Sequence, residues 1–241
     1  MKVFACDGTP QCFFTAVFDA YGEQEAIISS ASVQIPLGAT VETVTADGEK
    51  SRRVQAGISK YDRNAVDDIL LVLRSCSPLK EQTAFAYIKE IMRNKTSVKN
   101  AFNLPQVVEF NELLYKITGE THRFKGFIRF MECANGVLYA PYSPDNNITD
   151  LLMPHFAARL GSLKFVIHDV KRNIAGLYDG REWILSYVGE AEITLAESER
   201  TFETLWKKYY KSVTVNERPH EKQMKRSMPV RYWKFLPEKK N

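Results

Sequence analysis

Long apolar runs, internal repeats and clustered cysteines are what this 241-residue chain does without. No stretch of about 18 apolar residues occurs, which excludes a membrane-spanning helix at the level of the sequence. The start, MKVFACDGTPQ, lacks the apolar centre of a signal peptide, so a cytoplasmic protein is expected. The four cysteines, Cys6, Cys12, Cys76 and Cys133, fit no zinc, haem or iron–sulfur spacing. They read as reduced, half-buried apolar residues. No repeat or low-complexity tract is present, and the length suffices for one large domain or two small ones.

An excess of charge is also lacking, with a net charge of only +4, but the charge is unevenly placed. Residues 206–241 hold eleven Lys/Arg against three Glu, a net +8, which leaves −4 on the rest. Such a basic end suits an anionic partner, although a solvated terminal segment has the same composition.

What is present concentrates in residues 120–172, which hold three of the four histidines. Asn135-Gly136 lies between two β-like runs and predicts a two-residue hairpin turn, pairing Ala134 with Val137 and Arg129 with Tyr142. Alternation along the first strand then puts Phe124, Ile128 and Phe130 on a core face. The opposite face carries Arg123, Lys125, Phe127 and Arg129, with Tyr142 across the ladder. Basic and aromatic residues alternating in this way suit phosphate contacts and base stacking. An ordinary solvated sheet face has the same pattern. A helix ending at Gly161 follows, with His155 and Arg159 on one side. Strands over 163–170, 174–178 and 182–187 complete a mostly antiparallel sheet of about five strands. His122, His155 and His168 match no zinc spacing, so neither metal nor cofactor is expected.

The first part is expected to be mainly helical. Phe13, Phe14, Val17, Phe18 and Tyr21 fall at helical spacing, and β-prone pieces lie near 3–5, 32–35 and 41–45. Asp47 is an N-cap candidate, with Lys50, Arg52 and Arg53 in or near the first turn, where the helix dipole disfavours cations and a phosphate would be welcome. Helices over 64–76, 79–94 and from Leu104 to about Ile117 follow. The predicted class is α+β: residues 1–118 mainly helical, and residues 119–241 an α+β core with a helical, basic end.

Four segments carry a family resemblance: ETHRFKGFIRF from Glu120, YAPYSPDNN from Tyr139, HFAAR from His155 and IHDVKR from Ile167. With WKKYYK from Trp206 and MPVRYW from Met228, they resemble an uncharacterised bacterial family labelled as DNA-metabolism or DNA-repair proteins. The family has a core domain of unknown function. Its members are encoded beside a radical S-adenosylmethionine (radical SAM) DNA-repair protein, and related domains are fused to uracil-DNA glycosylase-like domains. The resemblance implies DNA and that radical SAM protein as partners. This chain has no radical-enzyme cysteine triplet, so any such chemistry belongs to the partner. Pro219-His220 departs from the family, which often has Asn shortly after the position of Arg218.

The leading expectation is therefore a nucleic-acid-binding protein of DNA repair, without a membrane. Its contacts would be Arg123, Lys125, Phe127, Arg129, Tyr142, Arg159 and Arg172, with Lys50, Arg53, Lys207, Lys208, Lys211, Arg218 and Arg231. A glycosylase- or nuclease-like enzyme is the alternative, drawing on His122, His155 and Asp169, with Glu120 and Asp145. A scaffold that docks its basic tail on an acidic protein is the third. The candidate centre is where Arg129, His155, Arg159 and Asp169 are expected to meet.

Overall fold

A computed structural model describes residues 1–30, 37–189, 193–213 and 221–239. The chain divides into two compact units, Met1–Thr118 and Gly119–Asn241. The fold is α+β.

The first unit opens with β1 (Lys2–Ala5), α1 (Pro10–Ala20), β2 (Ala26–Ser29) and β3 (Thr40–Thr43). The strands form a parallel sheet in the order β2-β1-β3, a feature that helical spacing alone does not predict. The β-prone piece at 32–35 lies outside the described residues. Thr9 caps α1 by accepting from the Cys12 amide, and Pro10 occupies its first turn. Phe13, Phe14 and Val17 bury its apolar side. On the edge strand β2, the Gln82 side chain accepts from Ile28 N at 3.0 Å and donates to Ala26 O at 3.4 Å. An edge that would otherwise template further pairing is thereby engaged.

Next come α2 (Gly48–Tyr61), α3 (Ala65–Val72) and α4 (Lys80–Asn94). The Asp47 carboxylate caps α2 through Glu49 N and Lys50 N. Tyr87 of α4 stacks on Phe110 at 3.8 Å between ring centroids. Phe110 belongs to α5 (Pro105–Phe127), which continues through the unit boundary instead of stopping near Ile117.

That continuation corrects the expected first strand. Phe124 lies on a helix, and Arg129 and Phe130 belong to neither helix nor strand but connect α5 to the two-residue strand β4 (Met131–Glu132). A sheet face alternating Arg123, Lys125, Phe127 and Arg129 therefore does not exist. Helical spacing separates these side chains, and Tyr142, on β5 (Leu138–Tyr142), is buried. The hairpin turn is present but one residue longer than expected. Cys133 N donates to Val137 O, Gly136 takes φ +76°, and the ladder pairs Met131 with Tyr139 and Glu132 with Leu138. A three-residue connection with glycine in the left-handed region moves the register by one.

The second sheet has the order β4-β5-β6-β7-β8, with β6 (Phe165–Asp169), β7 (Ile174–Tyr178) and β8 (Trp183–Tyr187). Three of its pairings are antiparallel, while β5 and β6 run parallel because α6 (Thr149–Leu160) crosses between them. Leu152, Met153 and Phe156 of α6 are buried, and Phe156 meets Phe130 edge-on. The chain then forms α7 (Glu199–Val213), α8 (Glu221–Ser227) and two short 3-10 segments, Val230–Phe235 and Pro237–Lys239.

Gly176 of β7 has no room for a side chain: a Cβ there would run into Met153 Sδ and lie 2.9 Å from Met153 Cγ. Overpacking of this kind costs about 1–3 kcal/mol. Gly176→Ala is expected to lower the thermal midpoint accordingly. In a Met153→Ala background, where the clashing atoms are gone, most of that added cost should vanish.

Candidate nucleic-acid interface

The second unit is built around a buried carboxylate. Glu120 of α5 is 1% exposed. Its Oε1 accepts from Asp145 N at 2.9 Å and from the Tyr232 hydroxyl at 3.0 Å, and its Oε2 from Asn146 N at 2.9 Å and Asn146 Nδ2 at 2.7 Å. Beside it, Arg231 reaches Asp145 Oδ2 at 2.6 Å and lies over the Tyr232 ring. Burial, then the Glu120 charge, pushes the Tyr232 hydroxyl above its ordinary range, so it stays a donor. Asp169, fully buried at the end of β6, accepts from Arg172 Nη1 at 2.7 Å and from the Lys171 and Arg172 amides. Arg172 also donates to the Pro144 and Asp145 carbonyls. Glu120, Asp145, Asp169, Arg172 and Arg231 thus converge on the 144–146 loop and there satisfy one another.

A second cluster forms at Arg129. Its guanidinium pairs with Glu238 at 2.9 Å and lies 5.0 Å from the Trp206 ring. Trp206 Nε1 donates to the other Glu238 oxygen at 2.8 Å. Burial opposes the Glu238 charge, but donors from the backbone, Trp206 and Arg129 outweigh it, and the carboxyl is held below its usual range. The cleft beside this stack is about 520 Å³ and is lined by Arg129, Phe130, Phe202, Leu205, Trp206 and Pro237 together with Glu199 and Glu203. Phe202 is 59% and Leu205 54% exposed. Each acid here has a partner: Glu199 accepts from Glu132 N, and Glu203 pairs with Lys207.

The remaining expected contacts are scattered. Lys50 pairs with Asp19 at 2.6 Å and Arg53 lies over Phe18, so both cations at the start of α2 have partners of their own. Phe127 packs towards Tyr232. Arg123 is half-buried, and its Nε has no partner among the described residues. His122 is exposed on α5. His155 is held below its ordinary value by burial and then by Lys125 and Arg159, so the imidazole has two cations as neighbours. Lys208 is exposed, the Lys211 side chain is outside the described residues, and so are Arg218 and the 219–220 turn. Arg129, Asp169 and the His155–Arg159 pair therefore each have their own neighbours and do not share the expected centre. No group of three or more His, Cys, Asp or Glu able to hold a metal occurs among the described residues. Nor, among them, is any helix long and apolar enough to cross a membrane.

One pair escaped the sequence reading. The Tyr139 hydroxyl and His168 Nδ1 lie 2.8 Å apart on the sheet face opposite α6. They line a cavity of about 480 Å³.

Residues 78–238, 161 of the 241, match the family described as a domain of unknown function, DUF4130. The chain belongs to this family. No curated protein matches it significantly. The DUF4130 match starts just before α4 and takes in the Glu120 network, both clefts and the Glu238 that anchors Arg129. The parallel sheet of the first unit lies outside it.

Replacing the Glu120 carboxylate by an amide should destabilise this DUF4130 unit. An amide offers one acceptor oxygen and points donors at groups that are themselves donors. Leaving buried groups unpaired costs roughly 1–3 kcal/mol each. Glu120→Gln is expected to lower the unfolding free energy from urea titration by an amount in that range or above, and an unchanged free energy would contradict it.

His168 makes stability depend on pH. Burial holds its pKa below the ordinary 6.5, with Asp169 opposing. The folded state thus takes up this proton less readily than the unfolded state. The stability is present above the unfolded value and is lost as pH falls through the folded one. Unfolding between about pH 7.5 and pH 5 should therefore show a smaller loss of stability in His168→Gln than in the parent protein.

Proposed function

We propose that this protein binds nucleic acid as part of DNA repair or metabolism, and that single-stranded DNA is the form its Arg129–Trp206 cleft suits. The observation that carries the reading is the guanidinium stacked on an indole beside exposed Phe202 and Leu205, on a helix that continues into Lys207 and Lys208. Bases stack on such rings whatever their identity, and lysines along the groove meet the phosphates. The basic–aromatic combination expected on the sheet is thus supplied by α7 and the segment before β4. Any radical chemistry would fall to a radical SAM partner, since this chain has no cysteine triplet for the cluster.

The enzyme alternative finds less support. Glu120 and Asp169 are each engaged by several donors, which leaves neither free to take a proton from substrate.

Anisotropy titration of a labelled single-stranded oligonucleotide tests the reading. Stacking contributes about 1–3 kcal/mol per base. Trp206→Ala and Phe202→Ala should each weaken affinity on that scale. Lys208→Gln should reduce the salt slope by about 0.7 if it meets one phosphate. Binding to an acidic protein with none to DNA would favour the scaffold, and DNA affinity unchanged in both aromatic variants would sink the cleft.

A further inference from the structure

The cavity on the open sheet face is a preformed container. Its floor is Val166, Ala175 and Leu177, from paired positions of β6 and β7, and Tyr139 of the adjacent β5 stands beside His168. Its rim joins the 133–137 hairpin to the 193–195 segment through Ala134 N to Thr194 O and a bridge between Cys133 and Leu195. The size falls within the range of small-molecule sites. Among the described residues no Lys, Arg, Asp or Glu lines it.

Its polar chemistry is equally restricted. A phenol is a better proton donor than a neutral imidazole, so Tyr139 donates to His168 Nδ1 and the ring proton sits on Nε2. That Nε2 is buried and has no partner among the described residues. A buried donor without an acceptor costs about 1–3 kcal/mol, so the site favours a group that supplies one when the ring turns towards it. Cys133 is pushed up by burial and then by Glu199, which keeps its thiol uncharged and gives no covalent nucleophile. Asn135 and Thr194 at the rim add one amide and one hydroxyl.

We propose that this cavity is a binding site for a neutral, planar heterocycle with acceptor and donor groups on its edge: a nucleobase. Charged ligands are disfavoured where the described lining carries no charge to meet them. The sheet floor and the Tyr139 ring suit a π-face, and His168 Nε2–H, which has almost no accessible surface in this structure, meets a ring nitrogen or carbonyl once the ring turns towards the cavity. The base has two possible sources, a free nucleoside or a base unstacked from a strand. Only the second rests on the nucleic-acid reading above.

The test uses the full chain with adenosine and uridine as probes, with affinity read by isothermal titration calorimetry in the parent and every variant and the contact read by NMR of the His168 ring in the parent. At least one nucleoside should shift those resonances saturably. Affinity should fall at least tenfold in His168→Phe, and also in Val166→Phe, which fills the floor and leaves the Tyr139–His168 pair in sequence. Neither nucleoside binding at millimolar concentration, or both folded variants binding like the parent, overturns the proposal. Displacement of the bound nucleoside by a single-stranded oligonucleotide assigns the site to a base in a strand, and no displacement assigns it to the free nucleoside. Trp206→Ala should leave nucleoside binding intact, so failure of the α7 cleft and failure of this pocket are read separately.

Discussion

A charge held away from water is the constraint on which the second unit depends. Burying a carboxylate costs several kcal/mol unless hydrogen bonds replace its hydration. Glu120 receives four such bonds, two from backbone amides, one from an amide side chain and one from a phenol. These come from the loop after β5 and from the 3-10 segment Val230–Phe235, so one side chain on α5 links three regions of the chain. Phe124, one turn further along α5, packs against Tyr142 and Tyr232 and closes the apolar side of the same junction.

The consequences run outward from there. With Tyr232 fixed, the C-terminal segment brings Glu238 against Arg129, and Glu238 in turn holds the indole of Trp206. The exposed aromatic face of α7 is therefore oriented by a chain of polar contacts as well as by packing. On the other side of the junction, Asp169 and Arg172 fix the loop through the Pro144 and Asp145 carbonyls. Polar residues that looked available for catalysis are the ones that hold the unit's shape.

Much of the fold was legible. Helical spacing located α1, Asp47 announced α2, and the expected strands at 174–178 and 182–187 match β7 and β8. Residues 123–129 misled because Arg-Phe-Lys-Gly-Phe-Ile-Arg alternates at period two and sits before a hairpin, whereas the helix that starts at Pro105 propagates into it and a single Gly126 does not stop it. The parallel β5–β6 pairing was hidden for a related reason: α6 was read as a helix crossing the sheet, but its role as a crossover sets strand direction. Tyr232 lies 112 residues from Glu120 and Glu238 lies 109 from Arg129, beyond the reach of spacing rules. Trp206 stood out only as the start of the basic WKKYYK segment, and no periodicity says whether the side of α7 that carries it is covered. Tyr139 and His168 share a face only in the parallel register.

Native-state hydrogen exchange in the Tyr232→Phe variant tests the role of the Glu120 junction most directly. That change removes one hydroxyl and keeps the ring that packs on Phe124. The account predicts that the Asp145 and Asn146 amides and the amides of the 230–236 segment exchange faster together, while β6 and β7 keep their protection. Unchanged exchange in both places would contradict it, and would mean that packing alone holds the C-terminal segment in position.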